Sequence, residues 1–273
     1  MKSLKLIAGL ILFSLLLSAN LTTAQAKEWK KVVIATEGGY PPFNNVNAAG
    51  EIVGFDVDLG NALCKQMSVE CEFVVQEWDG IIPSLNAGKY DAVIASMYIT
   101  DERLEKVAFT RPYFMAAMSM VGAKSANITD VSREAMKGKV IGAQRGTTQS
   151  EYLESMYKGV AEIRLYAKQD QVNLDLVNGR LDLQAGDLAP LIEWVNNGSD
   201  GNCCEIVGEP ITDSKYVGYG AGITIRKEDN ELREMFNNAL ATLVANGEHK
   251  KISDRYFPGY LHEFYVNLFN SSK

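Results

Sequence analysis

From residue 32 onward, short apolar runs alternate with longer amphipathic stretches, and polar, glycine-containing loops separate the two. That alternation is the mark of an α/β chain, with strands inside and helices covering them. Strands are expected at 32–36, 71–75, 92–94, 115–121, 139–143, 163–166, 181–184 and 221–225. Helices are expected at 57–67, 81–87, 131–136, 150–157, 171–178, 188–196 and 230–246, with a shorter one ending near Pro258. Residues 206–215 read as irregular, and the succession of strand and helix implies mostly parallel sheets.

The loops between these elements carry the candidate chemistry. Gly39-Tyr40-Pro41-Pro42-Phe43 cannot be helical, so Glu37 and Tyr40 are presented on a rim. Gly54-Phe55-Asp56 leads into a helix that Asp56 would cap, unless Asp56 contacts a ligand instead. Trp78 sits in the turn before the helix at 81. The run at 89–103, K-Y-D-A-V-I-A-S-M-Y-I-T-D-E-R, reads as a buried strand, a rim at Ala95, Ser96 and Tyr98, and a helix capped by Thr100 with Arg103 in its first turn. A hydroxyl at Ser96 and a fixed cation at Arg103 would cradle a carboxylate.

The βα pattern restarts at 139, which suggests a second lobe. Residues 115–121 and the glycine-rich run from Tyr216 to Gly222 would form the crossings. Between strand and helix in the new unit lie Thr147, Thr148 and Gln149, at a helix N-terminus that is receptive to anions. The alternative is that Thr147 or Thr148 only caps the helix. Asp187 is the acid delivered to the rim by the strand before it.

Residues 1–26 hold Lys2 and Lys5, an apolar run and Ala24-Gln25-Ala26, the layout of a cleaved secretory signal. No later run is long and apolar enough to cross a bilayer as a helix. Formal charge is −7, and removing Lys2 and Lys5 takes it from −7 to −9. An acidic balance argues against nucleic acid as a partner and suits cationic small ligands. Cys64 and Cys71 lie within reach of a disulfide in an oxidising compartment, the alternative being two buried thiols. Cys203 and Cys204 are adjacent and could be bonded to each other, free or intermolecular. No cysteine has metal-site spacing with histidine, so neither a metal nor a cofactor is expected.

Five motifs in register complete the picture: G-Y-P-P-F at 39–43, I-V-G-F-D-V-D-L at 52–59, I-I-P-S-L at 81–85, Y-D-A-V-I-A-S-M-Y-I-T-D-E-R at 90–103 and N-G-R-L-D at 178–182. Together they resemble the polar amino-acid family of bacterial periplasmic solute-binding proteins, of the arginine-binding and lysine/arginine/ornithine-binding type. The resemblance implies the two-lobed type II periplasmic binding protein fold, with a mainly parallel sheet in each lobe and two crossing strands. Lobe I would be 27–115 plus 217–273, and lobe II 116–216.

The ligand implied is L-arginine or another basic amino acid, held by a monomer that delivers it to an inner-membrane ABC permease. Arg103 would clamp the α-carboxylate with Thr147 and Thr148, and Asp187 and Ser96 would take the α-ammonium. Glu37, with Asp56, would face the cationic side-chain end, Tyr40 and Trp78 would flank the side chain, and Gln149 would line lobe II. Lysine and ornithine binders of this type usually carry Asp in place of Glu37 and a small or polar residue in place of Tyr98; the longer acid with Trp78 favours arginine. Cyclohexadienyl dehydratases share the fold, but the chain has only His249 and His262 as histidine acid–base candidates, both in its C-terminal tail. A sensor without a permease is the remaining alternative.

Overall fold

The computed structural model describes residues 29–115, 117–257 and 259. The leader expected at 1–26, Pro258 and His262 lie outside them. Two five-stranded sheets form the frame. The first has the order β5-β1-β6-β13-β7, built from β1 (Lys31–Thr36), β5 (Glu70–Val75), β6 (Ala92–Val93), β7 (Ala108–Phe114) and β13 (Ala221–Ile225). The second has the order β10-β9-β11-β8-β12, built from β8 (Met118–Ala123), β9 (Val140–Gln144), β10 (Glu162–Tyr166), β11 (Leu183–Asp187) and β12 (Cys204–Ile211). A small sheet of β2 (Gly39–Tyr40), β3 (Asn44–Val46) and β4 (Ile52–Val53) follows β1.

Each large sheet is mainly parallel, as expected, with four strands running one way and one reversed. β1 runs parallel to β5 and β6, while β13 is antiparallel to β6 and β7. The second sheet repeats this: β9 is parallel to β10 and β11, and β8 is antiparallel to β11 and β12. The reversed strand, β13 in the first sheet and β8 in the second, is the one the chain enters from a crossing.

The chain passes between sheets twice. The apolar strand expected at 115–121 begins only at Met118, as β8, after β7 has ended at Phe114. The return passes through the short helix α7 (Ser214–Val217) and two glycines with left-handed backbone, Gly218 and Gly220. A Cβ on Gly218 would stand 2.0 Å from Ile99 O, so only glycine fits this close approach.

Helices cover the sheets: α1 (Phe55–Met67), α2 (Ile81–Asn86), α3 (Asp101–Leu104), α4 (Thr148–Tyr157), α5 (Gln169–Val177), α6 (Leu188–Asn197), α8 (Asn230–Ala245) and α9 (Glu248–Ser253). The C-terminal α8 returns to pack on α1 and β7, so the first sheet is completed from both ends of the described chain. Val32, Ile34, Phe55, Leu59, Leu63 and Phe236 are fully buried beneath them. A second apolar layer, Ile81, Leu85, Val93, Met97 and Val107, fills the opposite face of the first sheet. Cys64 and Cys71 are disulfide-bonded with Cα atoms 6.1 Å apart, tying α1 to β5. Cys203 and Cys204 are also joined.

Two local expectations fail for identifiable reasons. Residues 131–136 form turns, because Asp130 Oδ1 accepts from Ser132 N at 2.7 Å and its other oxygen from the Ser132 hydroxyl at 2.9 Å; such local bonds compete with a helix. Residues 206–215 contribute most of β12, whose pairing with β8 becomes irregular between Val207 and Ile211, around Gly208 and Pro210.

Candidate functional site

In open α/β sheets ligands collect beyond the carboxyl ends of parallel strands. Here the carboxyl ends of β1 and β6 in the first sheet meet those of β9 and β11 in the second. Between them lies a cleft lined by Glu37, Tyr40, Trp78, Ala95, Ser96, Tyr98, Arg103, Gln144, Thr147, Thr148, Gln149 and Asp187. Every site residue expected from the sequence is in this lining except Asp56, and Gln144 is an addition.

Arg103 is placed by α3, whose cap is Thr100: its hydroxyl accepts from Arg103 N at 3.3 Å. The side chain is buried at 8% exposure. Nη1 donates to Tyr98 O at 2.9 Å and Nη2 to Gly146 O at 3.3 Å, while the guanidinium carbon lies 5.4 Å from the centre of the Trp78 ring. Arg103 forms no ion pair with any described carboxylate. Burial lowers its pKa, with Glu151 and Asp187 opposing that shift from a distance. Three of the five guanidinium N–H groups remain for an anion.

Beside it, Ser96 adopts φ +48 and its buried hydroxyl has no partner among the described residues. A strained backbone aiming an unpaired hydroxyl is a common feature of ligand sites. Thr147 is the cap of α4: it accepts from Ser150 N at 3.2 Å and donates to Gln144 O at 2.6 Å. Capping and cavity lining therefore coincide in one residue. Thr148 opens the helix, with its hydroxyl near Met118 Sδ at 3.8 Å. The ten-residue α4 directs its positive end into the same space as Arg103.

Two carboxylates face this cationic side. Asp187 ends β11; its Oδ1 accepts from Tyr98 OH and Gln149 Nε2, and its backbone N donates to Tyr40 OH at 3.4 Å. Burial pushes its carboxyl up to about 6, against the pull of Tyr98, Tyr40, Arg103 and Gln149. Glu37, just beyond β1, accepts from Gln144 Nε2 at 2.5 Å. Burial pushes Glu37 up to about 7, and the Gln144 bond opposes that rise.

Asp56 is elsewhere. Gly54, not Asp56, caps α1, because the loop carbonyls do the satisfying: Phe55 N donates to Pro42 O and Asp56 N to Phe43 O, at 3.0 and 2.8 Å. A Cβ at Gly54 would meet Phe43 O at 2.3 Å. The Asp56 carboxylate is fully buried, accepting from Asn44 Nδ2 and Tyr113 OH at 2.9 Å each, and burial raises it to about 7. Tyr113 OH in turn accepts from Ser96 N at 2.9 Å, and Asn44 Oδ1 accepts from Gly38 N at 2.8 Å, so Asp56 reaches the cavity indirectly, by steadying Ser96 and the backbone beside Glu37.

The two halves are bridged around the cavity. Trp78 Nε1 donates to Gly146 O at 3.0 Å, Arg145 pairs with Asp79 at 2.5 Å and Lys168 with Glu77 at 2.8 Å. These ion pairs are half-exposed and individually weak, but they flank Trp78 on both sides and seat it over the cavity. His249 lies in α9 against Tyr113 O at 2.8 Å, outside the lining. Among the described residues no cluster suited to a metal ion occurs.

Two sheets joined by two crossings around an interlobe cleft are the type II periplasmic binding protein fold, and residues 32–259 match bacterial extracellular solute-binding proteins, family 3. The chain belongs to that family. It is 42% identical over 259 residues to the L-arginine-binding protein of Pseudomonas aeruginosa, covering 94% of this chain and 97% of that one. It is 39% identical over 228 residues to the lysine/arginine/ornithine-binding periplasmic protein of Escherichia coli, covering 83% and 87%. Among solved structures it resembles a Salmonella typhimurium periplasmic binding protein described as highly arginine-specific, with TM-score 0.77, 35% identity and coverage of 84% and 100%. These relatives are binding proteins and not enzymes.

Proposed function

We propose that this protein is the periplasmic substrate-binding component of an ABC amino-acid importer, and that it binds a basic L-amino acid, arginine before lysine, ornithine or histidine. The observation that carries this is the charge layout of one cavity. It holds a buried guanidinium that pairs with no described carboxylate, a buried hydroxyl with no partner among the described residues, and two carboxylates reached from opposite lobes.

An α-amino acid is a zwitterion, so a dry site needs a cation and an anion at its backbone end. Arg103, with Thr147 and Thr148, serves the α-carboxylate; Asp187 and Ser96 serve the α-ammonium. A basic side chain needs a second anion, which Glu37 supplies, with Tyr40 and Trp78 flanking the aliphatic stem. We divide the lobes at 115/116 and 216/217, on the support of sheet membership. Because contacts come from both lobes, ligand favours the closed form, and closure offers a surface to an inner-membrane permease. The protein is read as a monomer, exported by its leader.

Calorimetric titration of the purified protein with L-arginine, L-lysine, L-ornithine, L-histidine and L-glutamine tests this. Tightest binding of L-arginine is expected; preference for glutamine over every basic amino acid would contradict the role of Glu37.

A further inference from the structure

Gln144 is the cavity residue that no motif in the sequence singles out. It ends β9, is 3% exposed, and stands across the cleft from Glu37. Its amide nitrogen is within 3.1 Å of Ala167 O and 2.5 Å of Glu37 Oε1. A backbone carbonyl can only accept, so the atom facing Ala167 is the N–H₂ group, and its second hydrogen falls to Glu37. Both amide hydrogens are thereby committed, one within its own lobe and one to the other.

We propose that Gln144 is a positioning residue that sets selectivity for a cationic side chain: anchored on Ala167 O, it fixes the Glu37 carboxylate as the anion that the ligand's charged end meets, and only when the lobes are together. The inference deepens the arginine-binding reading and rests on it. A hydrogen bond from a neutral donor favours the ionised carboxylate over the acid. Burial drives Glu37 the other way, and the Gln144 bond is the largest influence opposing it. Lys168 helps less, being ion-paired with Glu77. Without Gln144, Glu37 would enter the closed cleft less ionised and free to rotate. A guanidinium would lose much of its partner, whereas an uncharged isostere would lose little.

The test compares L-arginine with L-citrulline, which replaces the guanidinium by a neutral urea. Gln144→Met keeps the side chain's shape and deletes the donor; Gln144→Asn keeps the amide and withdraws its reach. Both are expected to weaken arginine by about tenfold or more, to leave citrulline within about threefold, and so to narrow the arginine:citrulline ratio. In a Glu37→Gln background neither should weaken arginine further, because the group through which Gln144 acts is already gone. Equal losses for both ligands, additive losses with Glu37→Gln, or unchanged arginine binding by either variant would overturn the inference while leaving the arginine-binding reading standing. If the unsubstituted protein binds no basic amino acid, that reading itself falls and takes the inference with it.

Discussion

Arg103→Ala is the substitution whose consequence is best fixed by the geometry. The guanidinium is buried and holds two backbone carbonyls, Tyr98 O and Gly146 O, at 2.9 and 3.3 Å. The hydrogens left over suffice for a two-pronged bond to a carboxylate. Removing the side chain deletes that charge-assisted pair and leaves the ligand's carboxylate buried without a cation, a loss of about 3 kcal/mol or more, or roughly 150-fold in Kd. Folding should change little, about 1 kcal/mol in either direction, since the two orphaned carbonyls are offset by relief of a desolvated charge. Arg103→Lys should fall between, keeping the charge and losing the fork. Titration calorimetry with L-arginine, alongside thermal unfolding to show that the variant is folded, reads both quantities. A folded Arg103→Ala variant binding arginine within about threefold of the parent would refute the assignment.

Glu37→Gln should weaken basic ligands by about tenfold or more and neutral ones by much less, read from the same titrations with arginine and glutamine. The pH dependence of closure follows from the carboxylates. Burial raises Glu37 to about 7 and Asp187 to about 6 in the closed cleft, above their ordinary values, so closing without ligand takes up protons. That contribution to closure is fully present below the ordinary carboxylate pKa values and is lost as pH rises through 6 to 7. Without ligand, a spin-label pair across the lobes should therefore report more closed protein at pH 5 than at pH 8; the opposite trend would count against it. Replacing Cys64 and Cys71 by serine opens a short loop, with a sequence separation of 7. It should cost about 2 kcal/mol, a fall of about 5 °C in Tm by calorimetry, with arginine affinity retained.

Much of the cavity was legible because its residues sit in loops whose backbone is dictated locally. Thr100 followed by Arg103 is a cap with a cation in the first turn, and both are where that rule puts them. The paired prolines and Gly39 force a non-helical rim that presents Tyr40. What escaped depended on partners distant in sequence. Asp56 reads as a cap beside Gly54, but its carboxylate is claimed by Asn44 and Tyr113, 12 and 57 positions away. Gln144 reads as a polar residue ending a strand; its significance comes from Glu37, 107 positions earlier. The reversed strand in each sheet was invisible for the same reason, since an apolar run does not say in which direction its neighbour runs. β12 was lost to Gly208 and Pro210, which mark a pairing irregularity within a strand rather than its absence.

The central claim is an orientation: a basic amino acid lies in the cavity with its α-carboxylate on Arg103 and its charged end on Glu37. A crystal structure of the complex with L-arginine tests it most directly. The account predicts the carboxylate in a two-pronged bond to Arg103, the ammonium at Asp187 and the guanidinium at Glu37, between the Tyr40 and Trp78 rings. A reversed ligand, or one bound outside this cavity, would contradict it.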